Sequence, residues 1–82
     1  MLPEQRIGEH LLSRISTDPG ICGGRPCIKG TRMRVSDLVE LIAHGAKHSE
    51  ILDDFPYLVA DDLAAALLYA ARATDHRVIR AA

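Results

Sequence analysis

The spacing of apolar residues changes near residue 36 of the chain, and from there onward it is helical. Leu38, Leu41 and Ile42 recur at helical intervals behind Ser36, a good N-cap, and Asp37, whose charge suits the positive end of a helix. Gly45 then stops the run. A second, short helix fits residues 49–54, where Ile51, Leu52 and Phe55 are apolar and Pro56 closes the segment. A third, longer helix is predicted over residues 60–74, with Leu63, Ala66, Leu67 and Ala70 on one face and Tyr69 beside them. Its alanines are strong helix formers and let a neighbouring backbone approach closely.

Before residue 36 the pattern is shorter in range. Residues 1–10 are polar, with Pro3 near the start, and read as a loosely held arm. Residues 11–16 (LLSRIS) read as a short strand ended by the turn signal Asp18-Pro19-Gly20. Residues 26–29 and 33–35 read as two further short strands. Pro26, lacking an amide hydrogen, places the first of these at an edge. The outline is therefore a mainly α protein: a three-helix helix-turn-helix domain preceded by a short N-terminal β-strand pair. The expected divisions are an N-terminal arm over residues 1–14, the domain over 15–74 and a C-terminal tail over 75–82.

With 82 residues the chain makes one small domain. A domain of that size buries only roughly 60–65% of the surface its unfolded chain exposes, so a homodimer or a bound partner is a natural supplement. The only aromatics are Phe55, Tyr57 and Tyr69, which leaves the core to Leu, Ile, Val and Ala. No apolar run approaches the roughly 18 residues of a membrane span. Glu4, Arg6, Glu9 and His10 interrupt the first residues, so no signal-peptide pattern is visible. A cytoplasmic protein without membrane contact is expected, with Cys22 and Cys27 as reduced thiols. The formal net charge of −1 hides a polarity: residues 1–35 carry +3, residues 36–62 carry −6 and residues 63–82 carry +2. An anion should meet the ends of the chain and a cation its middle.

Residues 20–35 (GICGGRPCIKGTRMRV) hold four glycines, two cysteines and four basic residues without an acid. A phosphate loop needs G-K-[S/T] leading into a helix, whereas here Lys29-Gly30-Thr31 leads into the strand-like M-R-V. A structural zinc site needs four ligands. Cys22 and Cys27 have no second pair, and Gly45 separates His44 from His48. The acid pairs Asp53-Asp54 and Asp61-Asp62 are adjacent residues that point apart on a helix. No metal, cofactor or catalytic set is thus expected, and the protein reads as a non-enzyme. Arg25, Lys29, Arg32 and Arg34 remain as candidate DNA-binding residues, strand alternation placing Arg32 and Arg34 on one face. The same charges equally suit a solvated edge strand guarded against pairing. The third helix is a poor DNA reader: Asp61 and Asp62 repel phosphates, and Ala64, Ala65 and Ala71 offer nothing to a base edge.

The blocks ISTDPGICGGRPCIKGTRMRV, LIAHG, ILDDFPYL and DDLAAALLYA, which span residues 15 to about 71, resemble the small prokaryotic family catalogued as domain of unknown function 433. The resemblance implies a homeodomain-like helix-turn-helix with strands that help form a dimer. It further implies a VapB-type antitoxin of a type II toxin–antitoxin module, paired with a PIN-like ribonuclease toxin. On the family pattern Gly24, Pro26, Ile28, Gly30, Thr31 and Arg32 form a signature turn, and Pro56, Leu58, Asp62, Leu67, Tyr69 and Ala70 close the domain. Arg32 is expected to pair with Asp62, tying the turn to the third helix. Lys47 and Val59 stand where the family usually has hydroxyl caps, each loss costing about 1 kcal/mol. Ala64 stands where a long polar residue is common.

The function so expected is an antitoxin that neutralises a PIN-like RNase and contacts its own operator DNA. Arg77, Val78, Ile79 and Arg80 of the tail are the candidate toxin-binding residues, with the arginines facing the acidic nuclease site and the aliphatics as anchors. The alternatives are a stand-alone DNA-binding regulator without a toxin and an interaction module whose basic turn binds nothing.

Overall fold

A computed structural model of the protein describes residues 3–75. Its elements in chain order are α1 (Pro3–Leu12), β1 (Ile15–Ser16), a 3-10 turn (Cys22–Gly24), β2 (Cys27–Ile28), α2 (Val35–Ala43), α3 (His48–Asp54) and α4 (Ala60–Ala73). The architecture is mainly helical with one short antiparallel strand pair near the N-terminus, Ile15 opposite Ile28 and Ser16 opposite Cys27.

The helices predicted after residue 36 are α2, α3 and α4, and their ends follow local chemistry. At the close of α2 the Gly45 amide donates to the Ile42 carbonyl and the Ala46 amide to Leu41, both at 3.0 Å. This is the Schellman arrangement, and it needs the left-handed residue that Gly45 supplies at φ +96. At the starts of α3 and α4, Lys47 and Val59 contribute no side-chain acceptor. The carboxylate one turn into each helix reaches back instead. Glu50 accepts from the Lys47 amide at 2.9 Å and Asp62 from the Val59 amide at 2.9 Å. The missing hydroxyl caps are thus half replaced, one amide being satisfied at each end.

α4 is the element on which the others assemble, packing against α1, α2, α3 and β1. Leu63 and Ala66 join Ile28, Met33, Val35, Leu38, Ile51 and Leu58 in the core, with Phe55 and Tyr69 packed at its margin. Because α1 and α2 cover two flanks of α4, the buried arc runs from Ala65 through Ala66 to Leu63, and Leu67 is left 37% exposed. The predicted apolar face is correct for Leu63 and Ala66 and displaced from Leu67.

Three local expectations are revised. The first residues are a helix, where the sequence reads as a loose arm, and the strand expected over 11–16 shrinks to Ile15–Ser16. α1 lays Gly8 against α4, where an added Cβ would lie 3.4 Å from Arg72 Nη2 and 3.7 Å from Leu68 Cδ2. A helix whose contact position is a glycine carries no hydrophobic signal at that position. The third strand reduces to a single bridge between Cys27 and Arg34, because Val35 already begins α2.

Candidate functional site

Residues 26–35 form a tight hairpin. The Ile28 amide donates to Met33 at 2.9 Å and the Val35 amide to Pro26 at 3.0 Å, while the Thr31 amide closes the tip onto Ile28 at 3.0 Å. The Thr31 hydroxyl donates to the Ile28 carbonyl at 2.8 Å and accepts from the Met33 amide at 3.0 Å, which fixes the turn from inside. The glycines serve this geometry and that of the preceding turn: Gly23, Gly24 and Gly30 all have positive φ. Cys22 shares that conformation at φ 52, a strained angle for a side-chain-bearing residue that costs on the order of 1 kcal/mol.

The structure sorts the four predicted basic residues into two kinds. Arg25, at the base of the hairpin, and Lys29 and Arg32, at its tip, are exposed and enter no ion pair among the described residues. Arg34 is half-buried and turned onto Asp37, with Nε 3.2 Å from Oδ2 and Nη2 3.5 Å from Oδ1. The alternation that would set Arg32 and Arg34 side by side is broken, since Arg34 sits at the N-cap of α2.

Arg32 does not hold Asp62. That role falls to Arg14, whose Nη1 donates to Asp62 Oδ1 at 3.0 Å and whose Nη2 lies 3.8 Å from Asp61 Oδ2. The Asp62 side chain is only 6% exposed, so a charge of opposite sign is needed beside it. Arg14 supplies that charge because it follows α1, which packs on α4, and because its carbonyl accepts the Lys29 amide at 2.7 Å. The reason for the correction is placement: the junction between α1 and β1 faces the start of α4, whereas the hairpin tip faces outward.

The outward tip borders an open concavity of about 580 Å³ lined by Ile21, Gly30, Thr31, Arg32 and Tyr57. Tyr57 is 56% exposed and held upright by Phe55, edge to face with ring centres 6.2 Å apart. Sequence reasoning missed Tyr57. The only available signal was an aromatic beside Pro56 in a turn, and in a chain with three aromatics a core position looks equally apt. A second hollow of about 400 Å³ is lined by Met33, Asp37, Glu40, Leu41, His44 and Phe55 and is acidic. Among the described residues no group of three His, Cys, Asp or Glu side chains is placed to hold a metal. The outer stripe of α4 carries Ala60, Ala64, Leu67 and Ala71, none of which can donate to a phosphate or a base. Arg77, Val78, Ile79 and Arg80 lie outside the described residues.

The sequence profile described as "Protein of unknown function (DUF433)" matches residues 15–70, which takes in the hairpin, α2, α3 and most of α4. The chain belongs to the DUF433 family. A crystal structure of a DUF433 member from Anabaena variabilis ATCC 29413 is similar with a TM-score of 0.69 and 36% identity, covering 87% of this chain and 76% of that one. The uncharacterized protein y4eO of Sinorhizobium fredii (strain NBRC 101917 / NGR234) is 34% identical over 56 residues. The match covers 68% of this chain but only 25% of y4eO, so it spans about a quarter of that relative's length. Among the described residues no helix is long and apolar enough to cross a membrane.

Proposed function

We propose that this DUF433 protein is a non-enzymatic antitoxin that binds and neutralises a PIN-like ribonuclease and touches its own operator DNA through the hairpin. The observation that carries the protein-binding part is that Arg32 and Tyr57 line one open concavity together with Ile21. Arginine and tyrosine dominate the energetics of protein interfaces, and an unpaired guanidinium suits the acidic surface of a nuclease that gathers carboxylates around magnesium. The operator part rests on Arg25, Lys29 and Arg32, exposed on one hairpin while the outer stripe of α4 is apolar. In this reading the protein acts as a homodimer, and Arg77, Val78, Ile79 and Arg80 extend the toxin contact.

The test is co-purification of the full chain with a PIN-like ribonuclease from its native cells, followed by an RNA-cleavage assay. Inhibition that is lost on deleting residues 75–82 and weakened by Arg32→Glu supports the assignment. A ribonuclease still inhibited by both variants removes it. The α3–turn–α4 order also favours a stand-alone DNA-binding regulator. That alternative requires steeply salt-dependent operator binding that falls when Arg25, Lys29 and Arg32 are neutralised, with no ribonuclease recovered.

A further inference from the structure

We propose that Cys22 and Cys27 are a redox-active dithiol, closing to an intramolecular disulfide by exchange with a small-molecule disulfide such as oxidised glutathione. The two thiols are near enough to perturb one another, Cys22 helping burial to raise the Cys27 thiol above its ordinary value. They also converge on one turn: Cys22 Sγ is 3.4 Å from the Arg32 carbonyl and Cys27 Sγ is 3.7 Å from the adjacent Thr31 carbonyl. Cys22 is half-exposed and Cys27 fully buried. Cys22 is therefore the sulfur that solvent reaches and Cys27 the one that is shielded. Cys22 holds a left-handed backbone, φ 52, and from it the side chain reaches the Arg32 carbonyl, a contact glycine could not make. No third metal-type ligand is grouped with the pair among the described residues, which leaves thiol exchange as the chemistry two adjacent sulfurs support.

The steps balance. Cys22, having lost its proton, attacks one sulfur of the glutathione disulfide. That S–S bond breaks, and one glutathione leaves and takes up a proton. Cys27 then loses its proton and attacks the Cys22 sulfur of the mixed disulfide, expelling the second glutathione. Two electrons and two protons pass from the protein to the glutathione disulfide. Burial, with the Cys22 hydrogen bond and the nearby Cys22 and Asp18 charges, pushes the Cys27 thiol up, so Cys22 takes the first step. Oxidation removes both S–H donors from the Thr31 and Arg32 carbonyls and thereby reaches the tip that rims the concavity.

The full chain is to be equilibrated in glutathione buffers of stepped ratio, quenched with iodoacetamide and read by intact mass. The expected result is loss of both alkylation sites together with loss of two hydrogens, the native chain forming the bond at least about tenfold more readily than the same chain in urea. Cys27→Ser should stop at a single glutathione adduct on Cys22, and oxidation of the natural chain should shift the Arg32 and Met33 amide resonances. A natural chain that halts at glutathione adducts, that links two copies instead, or that closes no more readily folded than in urea overturns the proposal. The natural chain alone decides these outcomes, so a variant that fails to fold leaves the test intact.

Discussion

Arg14 and Arg32 are the same residue type put to opposite uses. Arg14 is drawn in beside a carboxylate with 6% exposure, while Arg32 stands in solvent beside an exposed tyrosine. The difference lies in what each backbone is attached to. Arg14 follows a helix pinned to α4, so its side chain is delivered to the start of α4 with little freedom left to lose. Arg32 sits at the tip of a hairpin whose own hydrogen bonds are complete without it. A charge held by the packed body contributes to stability, and one set on a finished turn is available to a partner. Substitutions at the two places should therefore separate folding from binding.

The largest effect is expected at Asp62. Asp62→Ala leaves the Arg14 guanidinium, whose Nε is already buried without a partner, with only its 3.8 Å contact to the exposed Asp61, and frees the Val59 amide. The loss should be about 3 kcal/mol. A domain of this size has a total stability on the order of 4–12 kcal/mol, so the melting midpoint should fall by about 15 °C. Asp62→Asn keeps an oxygen for the Val59 amide and should lose only about half as much. Thermal melts of the two variants check this; equal losses would mean that the charge pair alone matters and the cap contributes nothing.

Arg14→Ala comes next, at about 2 kcal/mol, because its side chain is one-third exposed and water partly compensates the carboxylate left behind. Combined with Asp62→Ala it should cost less than the two losses together, with a coupling of about 1 kcal/mol or more. The same cycle run with Arg32→Ala in place of Arg14→Ala should show no coupling. Urea denaturation of the four proteins in each cycle supplies the numbers.

Much of this arrangement is legible in the chain. Leu38, Ile51, Leu63 and Ala66 announce α2, α3 and α4 by spacing, and Gly45 marks an end that the structure closes as a Schellman turn. The family motif is legible too, since residues 15–70 match the DUF433 profile. What stays hidden has physical causes. α1 meets α4 through Gly8, and a glycine contact leaves no apolar mark in the pattern. The partner of Asp62 is 48 positions away in sequence, and with Arg14 and Arg32 both available only the packing of α1 decides between them. Tyr57 is exposed although aromatic, which composition cannot express.

A smaller effect is expected from pH, and it tests how tightly the hairpin body is closed. Burial pushes the Cys27 thiol above its ordinary value of 9.0, so the folded chain holds that proton when the unfolded chain has begun to release it. The stability from this source is fully present below pH 9.0 and is lost as the pH climbs from there through the raised folded value. Urea midpoints measured under reducing conditions between roughly pH 8 and 10 should fall more for the natural chain than for Cys27→Ala, whose remaining titration is shared by both. Parallel slopes would mean that water reaches the thiol in the folded protein.

The smallest effect on stability should come from the concavity, and it sharpens the comparison most. Arg32→Ala removes a solvated charge with no ion-pair partner among the described residues, and Tyr57→Ala removes a ring that is more than half exposed. Surface changes of this kind usually stay within about 0.5 kcal/mol, with Tyr57 at the upper limit because its edge contact with Phe55 is lost. If the concavity is a partner site, the same two changes should weaken partner capture by about 2 kcal/mol each, roughly thirtyfold in Kd. Titration calorimetry against the co-purified nuclease, beside melts of the same samples, reads both quantities. A large loss of stability at either position would make the tip part of the folding body after all, and the division drawn from Arg14 and Arg32 would fail there.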